Sequence, residues 1–170
     1  MHIRTQATER HTLSVTVADE PGILARIAGM FAGRGYNIES LTVAASQDEQ
    51  VSRITVVTIG APATIEQIIA QLDRLPPVHK VVDLTAIGPH VERELALVKV
   101  AGTGDHRIEA LRLAEVYRAR VVDATTSSFV FEVTGGSDKI DKFLELMREV
   151  GLVEVARTGI AAIGRGREAI

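Results

Sequence analysis

The sequence predicts an α+β protein made of two copies of one βαββαβ unit. Three observations carry this. Short alternating runs rich in β-branched residues read as strands. Longer runs with apolar residues at helical spacing fall between them. The same order of elements then runs twice along the 170 residues, with Gly88-Pro89-His90 as the best candidate linker.

The N-terminal MHIRTQATERH is polar and has no apolar signal core, so residues 1–10 are expected to be a loose tail. His11–Val17 alternates and is a strand. Asp-Glu-Pro-Gly breaks it, with Pro suited to a first helical turn and an acidic residue suited to the cap. Ile23, Leu24, Ile27, Ala28 and Phe31 then form one apolar face, and Gly33 and Gly35 stop the helix. Ile38–Ala45 and Val51–Ile59 are strands joined by a polar turn. Residues 63–75 are a helix with Ile65, Ile68, Ile69 and Leu72 inward, closed by Pro76-Pro77. Val78–Ile87 is the fourth strand.

The second copy begins with the strand Glu94–Val100. A helix over Arg107–Tyr117 carries Ile108, Leu111 and Val116. Arg120–Ala124 and Phe129–Val133 are strands. Lys139–Val150 is a helix with Ile140, Phe143, Leu144 and Met147 inward. Leu152–Ile163 is the last strand, broken near Gly159. A doubled βαββαβ order is the ferredoxin-like arrangement, each antiparallel sheet carrying its helices on one face. The expected domains are residues 11–88 and 89–170. The second and fourth strands of each unit lie at the sheet edges. IESLTVAA has no Pro or Lys to blunt it, so two chains are expected to join there.

Apolar residues make up 46% and the formal net charge is −3, too mild to point to nucleic acid or a membrane surface as a main partner. No apolar run is long enough to span a bilayer. The chain has no Cys, which rules out disulfides and thiolate chemistry and fits a reducing cytoplasm. Its five His residues are scattered without metal-ligand spacing, so no metal site is expected. Gly102-Thr103-Gly104 is half of a dinucleotide fingerprint and reads as a plain turn. Glu92-Arg93-Glu94 reads as a solvated strand entry, with a docking contact as the other possibility. RNA-binding modules of this fold need exposed aromatics on central strands. Phe129 and Phe131 lack a basic flank.

The stretch DEPGILARIAGMFAGRGYNIESL, residues 19–41, is the one candidate site. A helix N-terminus offers unpaired N–H groups and partial positive charge to a carboxylate. Gly22 lets a ligand approach the backbone, Asp19 could accept from an ammonium, and Asn37 both donates and accepts. A free amino acid carries both charges. The same residues also describe a capped helix followed by a turn, and the residues alone leave both readings open.

The segment TLSVTVADEPGILARIAGMFAGRGYNIESLTVAAS followed by SRITVVT resembles the amino-terminal ACT domain of acetolactate synthase small subunits. The likeness continues through HVERELALVKV, VVDATTSSFVFEVTGGSDKIDKFL and VEVARTGIAAIGRG, nearly all of His11 to Gly166. The resemblance implies an N-terminal ACT domain and a C-terminal ACT-like domain. It implies a non-catalytic regulatory subunit that activates a catalytic subunit and confers feedback inhibition by valine. Thiamine diphosphate, magnesium and FAD would sit on that catalytic subunit, none in this chain. The effector would lie where two ACT domains meet, on Gly22, Ile23 and Leu24 at the helix start, with Asn37, Ile38 and Asp19 completing the site. A free-standing ACT-type amino-acid sensor acting on another enzyme or promoter is the alternative.

Overall fold

The computed structural model describes residues 7–170. The expected tail over residues 1–6 lies outside them, whereas Glu9 and Arg10 already belong to the first strand. The described chain forms two compact units. One runs up to Val91 and takes in Ala161–Ile170. The other is Glu92–Ile160.

The first unit contains β1 (Glu9–Ala18), α1 (Ile23–Gly33), β2 (Ser40–Ala45), β3 (Val51–Gly60), α2 (Pro62–Asp73), β4 (Val78–Asp83) and a one-turn helix α3 (Leu84–Ile87). Its sheet order is β2-β3-β1-β4, all antiparallel, with β2 and β4 at the edges as expected. Leu13, Val15 and Val17 of β1 and Ile54 and Val56 of β3 alternate toward one face. There they meet Ile23, Ile27 and Phe31 of α1 and Ile65, Ile68 and Leu72 of α2. The fourth strand is shorter than the residues suggest. The Asp83 carboxylate accepts from the N–H groups of Thr85 and Ala86 at 3.0 and 3.2 Å, which turns 84–87 into a helical turn. His11 holds the same carboxylate through Nδ1 at 2.7 Å.

The second unit contains β5 (His90–Ala101) from Glu92 onward, α4 (Gly104–Val116), β6 (Arg120–Ala124), β7 (Ser128–Gly135), α5 (Ser137–Val150) and β8 (Leu152–Arg157). The order β6-β7-β5-β8 repeats that of the first sheet. Ile140, Phe143, Leu144, Met147 and Val150 of α5 are buried against Ala96, Val98, Phe131 and Val133. α4 departs from expectation. Ile108, Leu111 and Val116 are exposed, and the face toward the core is Ala110, Leu113, Ala114 and Tyr117. Small residues at 110 and 114 let the helix lie close to the sheet, and the larger side chains turn outward.

The last expected strand is broken at Gly159, whose φ is +83°. Residues beyond it form β9 (Ala161–Gly164), which lies against β1 and α3, so 161–170 group with the first unit rather than with 89–160. Among the described residues no helix is long and apolar enough to cross a membrane.

Candidate functional site

The first helix opens without a side-chain cap. Gly22 is its N-cap at φ +85°, a left-handed conformation that costs glycine little, and its carbonyl accepts the first helical bond from Arg26 at 3.0 Å. The acidic residues before it have other partners. Asp19 Oδ1 accepts from Ser52 Oγ at 3.3 Å, and Glu20 pairs with Arg26. The expected acidic cap is therefore absent, because the backbone leaves β1 tied to the β3 side, with Asp19 N–H donating to Gln50 at 2.8 Å. The Ile23 N–H reaches back to the Glu20 carbonyl at 3.4 Å. The Ile23 side chain is buried, but Leu24 is 42% exposed, so its side chain faces outward and not into the core.

The helix closes with a glycine stop. Gly35 N–H donates to Ala32 and Tyr36 N–H to Phe31, with Gly35 at φ +68°. Tyr36 packs edge-on against Phe31, ring centroids 6.1 Å apart, which supplies the apolar contact of that motif. The Gly-Tyr pair is thus stop chemistry, and it delivers Asn37. The Asn37 carbonyl accepts from Thr58 Oγ1 at 2.6 Å. Its amide is exposed and donates to Glu39 at 3.5 Å. Ile38 is half-buried against the core.

The candidate residues therefore form two groups. Asp19 is bonded to Gln50 and Ser52 at one end of β3, and Gly22, Ile23 and Leu24 follow it at the start of α1. Asn37 and Ile38 stand beside Thr58 at the other. The length of α1 and the rise of β3 put roughly 20 Å between them. That is far beyond the reach of one free amino acid.

Two features differ from the sequence expectation. Glu94 is only 4% exposed, not a solvated strand entry. It is in phase with the core residues Ala96, Val98 and Val100, a signal the sequence did contain. Arg157 grips it with Nε and with Nη2, the latter at 2.9 Å, while Nη1 reaches Asp141 at 2.7 Å. Ser137 Oγ donates to the same Glu94 carboxylate. These bonds hold the Arg157 guanidinium charged well above the ordinary arginine range, against the opposing cost of partial burial. Phe129 and Phe131 are buried in the core, and Arg107 lies 3.9 Å over the Phe129 ring, so neither ring is free to stack a base. Among the described residues no three His, Asp or Glu side chains gather as a metal site requires.

Two ferredoxin-like units, the first with an uncapped glycine helix start beside an open sheet edge, define a regulatory domain protein of the ACT type. The family model of the acetolactate synthase small-subunit-like ACT domain matches residues 13–80, and that of the small subunit of acetolactate synthase matches residues 93–166. The chain is 45% identical over 159 residues to a probable acetolactate synthase small subunit of Archaeoglobus fulgidus, covering 94% of this chain and 99% of that one. It is 44% identical to the isozyme 3 small subunit of Escherichia coli, covering 92% and 96%. A crystal structure of the Thermotoga maritima small subunit superposes with a TM-score of 0.86 at 35% identity, covering 94% and 99%. The chain belongs to the family of acetolactate synthase small subunits. It is the non-catalytic, regulatory member of a two-subunit enzyme, and a small subunit implies a larger one as partner.

Proposed function

We propose that the chain activates the catalytic subunit of acetolactate synthase and confers feedback inhibition by valine, bound between two copies of the ACT unit. The catalytic subunit would carry the thiamine diphosphate, magnesium and FAD, and both would work in the cytoplasm.

The observation that carries this reading is the separation of Gly22 from Asn37. One chain cannot close a site around a small zwitterion with both. Two chains can. β2 is an edge strand with Val43 exposed. If two β2 edges pair antiparallel about a two-fold axis, the Ser40 end of one strand meets the Ala45 end of the other. Ala45 pairs with Ser52, which holds Asp19. Asn37 and Ile38 of one copy then stand beside Asp19 to Leu24 of its mate.

In that site the valine carboxylate accepts from N–H groups of the first helical turn, each charge-assisted bond contributing about 1.5–3 kcal/mol. Asn37 and Asp19 address the ammonium, and the outward Leu24 covers the isopropyl group. Inhibition requires valine to favour the dimer state that grips the catalytic subunit less productively. Titration calorimetry of the chain with valine tests this, expecting one valine per chain and loss of binding in Gly22→Asp. Unchanged binding in that variant refutes the site.

A further inference from the structure

The face of the first sheet turned away from α1 and α2 carries a row of hydroxyls. Ser14 faces Thr55, and Thr55 faces Thr42, across three strands. In the next row Thr16 faces Arg53, which faces Ala44. Ser14 and Thr55 are 2% and 3% exposed, yet Ser14 Oγ and Thr42 Oγ1 are buried without a hydrogen-bond partner. A buried hydroxyl left unpaired costs free energy, so each one in a native fold asks for an explanation.

Thr42 lines a cavity of about 530 Å³ between this face and residues 161–170. Thr16, Thr42, Arg53 and Thr55 line one wall, and Ile163 and Ile170 the other. Arg53 is its one basic lining residue, and Nη2 donates to the backbone oxygen of Ile170 at 3.0 Å. The Ile170 side chain packs over Gly164, where an added Cβ would lie 3.4 Å from its Cδ1. The chain itself thus places an oxygen acceptor on the guanidinium and a branched four-carbon group against the apolar wall. Of the two acids in the lining, Asp48 is turned to its own turn, accepting from the Gln50 N–H, and Glu168 is exposed.

We propose that this cavity is a second ligand site, for a small monocarboxylate with a branched aliphatic body, and that the Ile170 oxygen holds its Arg53 end in the free chain. The ligand carboxylate takes the place of the Ile170 oxygen on Arg53. A 2-oxo group, where present, accepts from the idle Thr42 hydroxyl. Glu168 disfavours a second negative charge, so dicarboxylates are rejected. The site is separate from Gly22 and stands whether or not valine binds there.

Calorimetry on the full chain tests it with 3-methyl-2-oxopentanoate, 3-methylpentanoate, the neutral 3-methylpentanol and the dicarboxylate 3-methylglutarate. Both monocarboxylates bind, the oxo acid several-fold tighter, and the alcohol and the dicarboxylate at least about tenfold weaker. Arg53→Gln weakens both acids at least about tenfold, and Arg53→Lys recovers part of the loss if the glutamine variant folds poorly by circular dichroism. Thr42→Val removes only the advantage of the oxo acid. Gly22→Asp leaves all of these affinities unchanged. Absence of heat with either acid at millimolar concentration, or binding indifferent to both Arg53 variants, overturns the proposal. An oxo-acid advantage that survives Thr42→Val overturns the role given to that hydroxyl.

Discussion

Gly22 opens α1 and Asn37 follows its close, so the two polar ends of one short stretch stand a helix length apart in the same chain. A ligand that needs both must be shared between chains. Valine then binds the dimer better than the monomer, and by linkage it tightens the dimer. Sedimentation equilibrium with and without saturating valine is expected to show a monomer–dimer dissociation constant at least about tenfold lower with valine. A constant that does not move would place the ligand within one chain.

Charge and shape at position 22 can be separated. The φ of +85° strains any L residue, and an added Cβ there meets open space, so the cost is conformational and not a clash. Asn and Asp tolerate this region best among non-glycine residues. Gly22→Asn is expected to lose about 1 kcal/mol of stability and keep measurable valine binding. Gly22→Asp should be similarly stable but lose binding, because its carboxylate faces that of the ligand. Chemical denaturation and calorimetry on the pair check both halves. Equal binding by the two variants would mean that charge at this turn is irrelevant.

Glu94 and Arg157 pin the start of β5 to the end of β8. Removing Arg157 leaves a buried carboxylate without its main partner. Arg157→Met is expected to cost about 2–4 kcal/mol, less than a fully buried pair because a third of the arginine side chain is open to water. Replacing both residues by apolar ones should recover much of that loss. The raised arginine value means that its contribution is fully present below the ordinary arginine range and fades only at strongly alkaline pH. Urea titrations of the wild type should therefore show no loss from this group near neutrality.

Gly151 ends α5 at φ +114°, and a Cβ there would sit 2.0 Å from the Ala101 carbonyl oxygen. Backbone cannot swing aside as a flexible side chain can. Gly151→Ala is expected to destabilise by more than about 2 kcal/mol. Gly136→Ala, at an N-cap with no neighbour within 4 Å, should cost a few tenths. Thermal unfolding of the two variants side by side is the check.

The repeated βαββαβ order was legible because strand alternation and helical spacing are local signals, and they survive in both cores. The misread elements depended on partners far along the chain or on side-chain size. Asp83 turns Leu84–Ile87 into a helix through an Asp-x-Thr cap that a strand-like run conceals. α4 buries Ala110 and Ala114 and exposes Ile108, because closeness to the sheet outweighed hydrophobicity. The candidate residues all come from one short stretch, which does not itself show how far apart folding sets its two ends. That Asn37 belongs to the opposite end of the sheet follows from the Thr58 contact, which no short stretch of sequence contains.

The shared site is tested most directly by mixing two variants that each lose valine. A dimer of Gly22→Asp with Asn37→Ala has one site spoiled twice and one site intact. Calorimetry on the refolded mixture is expected to recover wild-type affinity at a fraction of the wild-type stoichiometry. If the mixture binds no better than either variant alone, the valine site is not built from two chains.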